Sequence, residues 1–204
     1  MGEVILHAET LNPCTELRLN IESVGLTPDQ FYRLCGDNPE LRLELTARKE
    51  IVIMPPAGSA SGAWNFNVNG QLCEWIKKDG RGIGFDSSAG FTLPNGAVRA
   101  PDAAWVLREK WDALTKQQRM KFAPVVPEFV IEIRSQSETL PQQKAKMEEY
   151  IAVGVRLGWL LDPFARNVYI YRPGQEPKLL ENPESVSADP ELPGFVLDLR
   201  QVWS

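Results

Sequence analysis

The chain predicts a mixed α/β (α+β) fold, a central mixed β-sheet with helices packed on it. Three observations lead there. Apolar runs of strand length recur at 41–46, 49–54, 102–107 and 129–133. Segments with apolar residues at helical spacing lie between and after them. The order strand, strand, long insertion, strand, helix, strand is the one that lays helices against a mixed sheet. At 204 residues with 43% hydrophobic content, the chain can bury a full core. That length favours a single domain over 1–204, with an irregular segment at 1–26 and the core over 41–199.

Residues 1–26 show no clear period. Thr27-Pro28-Asp29-Gln30 then opens a helix to about Asp37: Thr27 caps it, proline takes the first position, and Gln30 stands in the capping-box place. LRLELT and KEIVIM read as two strands joined near Ala47 and Arg48. Leu41, Leu43 and Leu45 share one face, which puts Arg42 and Glu44 on the other. Pro55 and Pro56 end this hairpin, and 58–62 reads as loop. Trp64, Val68, Leu72, Trp75 and Ile76 are spaced for one buried helix face, with Asn69-Gly70 a weak point inside it. IGF at 83–85 and FTL at 91–93 read as a hairpin, and Pro94-Asn95-Gly96 turns the chain into the strand that follows Asp102. A polar excursion from Arg108 to Lys121, with a short helix begun at Leu114-Thr115, precedes the strand at Glu132. A helix from about Leu140 to Val153, strands at Trp159–Leu161 and Val168–Tyr171, and a proline-rich segment closed by FVLDL complete the chain.

Composition excludes several functions. A net charge of −5 gives no global attraction to nucleic acid or anionic membrane, so a polyanion must be met by local cations or metal ions. No apolar run approaches the roughly twenty residues of a membrane-spanning helix. Cys14, Cys35 and Cys73 are odd in number and lack paired spacing, and the N-terminus shows no basic segment before an apolar one. A reducing cytoplasm is therefore expected. The only histidine is His7, which argues against a Ser-His-Asp triad and a histidine zinc site. GRGIGF at 80–85 has glycines but no helix pattern after it, so nucleotide-cofactor chemistry is unsupported. Trp64, Trp75, Trp105, Trp111 and Trp159 could stack on bases, but core packing is the expected role. Carboxylates and lysines remain, and these are the groups hard-metal chemistry uses.

Two acids stand out. Glu132, in PEFVIEIRS, has Phe129, Val130 and Ile131 before it and Ile133 after it. An ionised carboxylate there costs several kcal/mol unless a metal, a cation or a proton meets it. In RAPDAAWVL, Asp102 follows Pro101 and enters an apolar run. Two strands each presenting one acid suit a divalent cation, although either acid could instead face solvent or pair with an arginine. Period two puts Arg134 on the face of Glu132. On the following helix Gln142, Lys146 and Tyr150 fall at i, i+4 and i+8 as a polar stripe, with Leu140, Met147 and Ile151 on the buried side.

Asp102 after a proline, then Glu132-Ile133-Arg134, resembles the motif of the PD-(D/E)XK nuclease superfamily. LELTARKEIVIMPPAGSASGAWN, GFTLPNGAVRAPDAAWV, PEFVIEIRSQSE, KMEEYIAVGVRLGWLLDP and LPGFVLDL together resemble the Uma-two-type restriction endonuclease family, from about Leu41 to Leu199. The resemblance implies a restriction-endonuclease-like core and Mg²⁺-dependent hydrolysis of DNA phosphodiesters, with Mn²⁺ as a substitute. It implies Asp102, Glu132 and the carbonyl of Ile133 as metal ligands, Glu44 as the family's upstream glutamate, and Lys146 as its helix lysine. Arg134 occupies the strand position where the superfamily has lysine, and Asn65 stands where many relatives have histidine. A homodimer follows from the same likeness.

Residue chemistry is compatible with these roles. Lysine can hold or deprotonate a water, whereas arginine stays protonated and only stabilises negative charge. Lys146 is accordingly expected on the water side and Arg134 on the phosphate side. Glu44 either binds a second ion or orients the other acids. Gln142, Tyr150 and Asn65 are expected in support. Two rival readings stand beside this one: a nucleic-acid-binding or assembly protein with little catalysis on the same fold, and a metal-dependent hydrolase of another phosphoester.

Overall fold

A computed structural model describes residues 16–203; His7 and Cys14 lie outside the described residues. Two sheets and a hairpin carry the architecture. The five-stranded antiparallel sheet has the order β1 (Leu17–Asn20), β3 (Glu50–Met54), β2 (Arg42–Leu45), β6 (Val98–Arg99) and β5 (Phe91–Thr92). The central six-stranded sheet has the order β11 (Lys178–Glu181), β10 (Asn167–Tyr171), β9 (Leu157–Asp162), β8 (Phe129–Ile133), β7 (Ala103–Leu107) and β4 (Gly82–Asp86). It is mixed because β8 and β9 run parallel, joined through α5 (Leu140–Ala152), while its other neighbours pair antiparallel. β12 (Ser185–Ser187) and β13 (Val196–Asp198) form the hairpin.

Both faces of the central sheet are covered, and alternation along β8 decides which residue meets which layer. Phe129, Ile131 and Ile133 enter one core with Val68 and Leu72 of α2 (Ser59–Asp79) and with Phe195 and Leu197. Val130 enters the other, with Met147 and Tyr150 of α5. Glu132 therefore emerges beneath α5. A third, smaller core joins Phe31 of α1 (Pro28–Asp37) to Leu45, Ile51 and Val98 of the five-stranded sheet. α1 begins with the expected capping box at Thr27/Gln30, and α5 with one at Thr139/Gln142 that the sequence reading did not mark. In the excursion, α3 (Arg108–Asp112) precedes α4 (Lys116–Arg119), which Thr115 and Gln118 cap in the same way.

Four expectations change. The segment taken as irregular through residue 26 contains β1, whose Leu17 pairs with Ile53; four residues were too few to show a period. The 58–62 segment is not all loop: α2 begins at Ser59 and runs unbroken through Gly70, because Asn69 is anchored by contacts described below. IGF and FTL do not pair. β4 pairs with β7, and β5 with β6 in the other sheet, so Asp86–Gly90 is a crossing between sheets rather than a hairpin turn. Finally, the polar stripe of α5 is not set apart from the buried side: Tyr150 is buried beside Met147, as is Gln143. Among the described residues no helix is long and apolar enough to cross a membrane.

Gly82 explains the β4–β7 pairing. A Cβ there would sit 2.6 Å from the Val106 carbonyl oxygen and collide with the Trp105 indole. Gly82→Ala should therefore lower stability by about 1–3 kcal/mol, as overpacking does. Urea denaturation reads this directly, and an unchanged midpoint would refute the role given to this close approach.

Candidate active site

Four elements deliver the site. β2 carries Glu44, the entrance to β7 carries Asp102, β8 carries Glu132, and α5 carries Lys146 beneath the sheet. The Lys146 Nζ lies 3.0 Å from Glu44 Oε1 and 2.9 Å from Glu132 Oε1, so one ammonium bridges two buried carboxylates. The Tyr150 hydroxyl donates to Glu132 Oε1 at 2.9 Å. Glu44 is satisfied further: Arg99 Nη1 donates to its Oε2 at 2.8 Å, and the Ala100 amide donates to its Oε1 at 3.0 Å. Arg99 in turn grips Glu149 of α5 at 2.6 Å.

Asp102 is held differently. Asn65 Nδ2 donates to its Oδ1, and the Ile133 amide donates to its Oδ2, both at 2.8 Å. Asn69 Nδ2 donates to the Asp102 carbonyl at 2.9 Å and to the Asn65 side chain at 2.6 Å. No ion pair reaches Asp102 among the described residues. Asp102, Glu132, Ile133, Lys146, Asn65 and Asn69 line one cavity of about 390 Å³. Glu44, Arg99 and Gln142 line an adjoining cavity of about 670 Å³, and Lys146 lines both.

The structure thus brings together Glu44, Asp102, Glu132, Lys146 and Tyr150, with Asn65 and Ile133 beside Asp102. Arg134 is elsewhere. Its Nη2 binds Asp162 Oδ1 at 2.7 Å, and its guanidinium lies 4.6 Å from the centre of the Phe164 ring. Position parity with Glu132 did not decide its partner; the strand ends at Ile133, and the buried Asp162 on the neighbouring strand needed a counterion. Gln142 takes part in the helix cap and donates to Glu16 at 2.8 Å rather than to Glu44, Asp102 or Glu132. Arg99 and Asn69 went unmarked in the sequence. Arg99, three residues before Asp102, was the legible one, because a buried acid such as Glu44 calls for a cation.

The carboxylates are not equivalent. Against the cost of burial, Lys146, Arg99 and the Ala100 amide hold Glu44 down at about 2. Burial pushes Asp102 up to about 6, opposed by the Ile133 amide and by Lys146. Burial also pushes Glu132 up to about 8; Lys146 opposes this, and the charges of Asp102 and Glu44 add to it. Lys146, despite its burial, is pushed up by Glu132 and Glu44 and stays protonated. Among the described residues no group of three or more His, Cys, Asp or Glu side chains is arranged to hold a metal ion. Glu44 is consumed by Lys146 and Arg99. A cation here would rest on Asp102, Glu132, a backbone carbonyl and water, a donor set that suits Mg²⁺, which keeps several of its waters.

The site sits on a mixed sheet with helices on both faces, which brings two acids from neighbouring strands to one cavity. The chain belongs to the Uma2 family: residues 28–200 match the family model described as "Putative restriction endonuclease". No match was found among curated proteins. Among solved structures it is similar to one from Anabaena variabilis, described as "a putative nuclease belonging to DUF820". That likeness has a TM-score of 0.70 at 20% identity and covers 88% of this chain and 98% of the other. It establishes the fold.

Linkage gives a prediction. Asp102 and Glu132 hold protons when folded that they release at an ordinary carboxylate pKa near 4 when unfolded, so stability falls as pH rises through about 4 to 8 without metal. Glu44 acts oppositely, its contribution being lost as pH falls from about 4.5 toward 2. Urea midpoints in EDTA should decline from pH 6 to 8 for wild type and stay flatter for Glu132→Gln. Parallel slopes would contradict the assignment.

Proposed function

We propose that the chain is a divalent-metal-dependent endonuclease acting on DNA phosphodiesters. One observation carries this reading: Asp102 and Glu132 line the same cavity, yet the cation paired there, Lys146, is shared between Glu132 and Glu44, and Asp102 has no ion-pair partner among the described residues, so the two acids are short of positive charge. Mg²⁺ or Mn²⁺, held by Asp102, Glu132 and the Ile133 carbonyl, would supply that charge, orient a phosphate and acidify a bound water. The chain's own groups do the rest. Asn65 and the Ile133 amide fix the direction of Asp102, and the Tyr150 hydroxyl fixes Glu132. Lys146, kept protonated by its two acids, holds the attacking water by donating hydrogen bonds and faces the negative charge that develops on the phosphate. Glu44 orients Lys146 rather than binding a second ion, because Arg99 and Lys146 occupy it. Arg134 supports the end of β8 through Asp162, a change from the phosphate-side role its position suggested. A homodimer with one site per copy and a reducing cytoplasmic setting complete the reading, on the resemblance and on the free Cys35 and Cys73.

The rival, a DNA-binding protein with little catalysis, draws on the double ion pair of Lys146. Cleavage of plasmid and of single-stranded DNA, each in Mg²⁺ and Mn²⁺, separates the two. Asp102→Asn and Lys146→Met should each cost about a hundredfold or more in rate. Arg134→Lys should stay within about threefold of wild type, since Arg134 lies outside the acid cluster. An inert wild type would favour the rival, and full activity in Lys146→Met would remove the lysine from the mechanism.

A further inference from the structure

Phe66 follows Asn65 on α2 and lines the same cavity as Asp102 and Glu132. It is 82% exposed, the most exposed of the large apolar side chains among the described residues. The other aromatic side chains of this helix are occupied. Trp64 meets Phe164 edge-on with centroids 5.8 Å apart, and Trp75 packs on Trp105 and Phe195 at 5.7 and 5.6 Å. Phe66 makes no such ring contact among the described residues. The cavity also includes Met54 at the end of β3, and Pro55 and Ala57 between β3 and α2.

Charge narrows what this ring can meet. Five carboxylates line the cavity among the described residues against two cations, Arg42 and Lys146, and Lys146 is already bound by Glu44 and Glu132. A duplex carries a negative charge every ~1.7 Å of axis and keeps its base faces stacked inside. Such a wall offers it little. An unpaired stretch exposes base faces, and a base stacked on an aromatic ring gains attraction without a counter-charge from the protein.

We propose that the cleft takes unpaired DNA and that Phe66 is the platform on which a base beside the scissile phosphate stacks. This rests on the nuclease reading for the identity of the site and adds its substrate form. Phe66 is a specificity-determining residue, outside the group of side chains that hold metal or water.

The test is anisotropy of a dye-labelled oligonucleotide, single-stranded or annealed to its complement, titrated with the full chain in Ca²⁺ while gels confirm that it stays intact. Wild type should bind the single strand more tightly than the duplex. Phe66→Ala and Phe66→Leu should weaken single-strand binding by about tenfold or more, while Phe66→Trp retains it, since leucine is apolar but lacks a stacking face. Duplex affinity should be unchanged by all three. Wild type that prefers duplex or binds no single strand overturns the proposal. So does Phe66→Ala at wild-type affinity, or Phe66→Leu matching Phe66→Trp. Cleavage in Mg²⁺ is scored separately. Phe66-dependent single-strand binding without cleavage would overturn the nuclease reading and leave Phe66 as a stacking platform for unpaired DNA. Duplex cleavage indifferent to Phe66→Ala would do the reverse.

Discussion

The site turns on a single ammonium group shared by two buried acids. Lys146 draws Glu44 from the five-stranded sheet and Glu132 from the central sheet onto α5, so this contact joins three elements. Buried charges of this kind are costly, and removing one partner strands the others at a cost of about 3–5 kcal/mol. Arg99 extends the arrangement by spanning Glu44 and Glu149, so α5 is gripped at a second point. Even so, the positive groups fall short. Arg99 serves two acids and Lys146 serves two, while Asp102 has no ion-pair partner among the described residues. The remaining deficit is what a proton satisfies at low pH and what a divalent cation would satisfy near neutrality.

The fold makes that deficit tolerable by holding the acids with neutral groups. Asp102 accepts from Asn65 and from the Ile133 amide, and Asn69 secures both the Asp102 carbonyl and Asn65. Tyr150 does the same for Glu132 from within the α5 core. These donors orient carboxylates without neutralising them, which leaves the negative charge available to a ligand. Packing supports the geometry from behind: Phe129 and Ile131 fix β8 on the α2 side, and Val130 fixes it against Met147. A protein that only needed stability would gain from replacing such acids with apolar residues.

Much of this was legible because local signals and burial agreed. The capping box at Thr27 and the cap at Thr115 marked helix starts, and the apolar flanks of Glu132 marked a buried acid. The five sequence blocks carried the family, and with it Asp102, Glu44 and Lys146. What escaped depended on partners distant in sequence. β1 is only four residues long and exists through its pairing with Ile51 and Ile53. β4 bypassed its neighbour because Gly82 admits the Trp105 ring. Gly70 did not break α2, since Asn69 has tertiary anchors. Arg134 matched a motif position yet joined Asp162, because strand parity predicts a face but not which acid on the next strand needs a counterion.

Diffraction from crystals grown with Mn²⁺, recorded near the manganese absorption edge, tests the central claim most directly. The account predicts an anomalous peak within ligand distance of both Asp102 and Glu132, about 2.0–2.6 Å from their oxygens, with Lys146 still bound to Glu44. A cavity free of anomalous density at saturating Mn²⁺, with Asp102 and Glu132 unmoved, would contradict it.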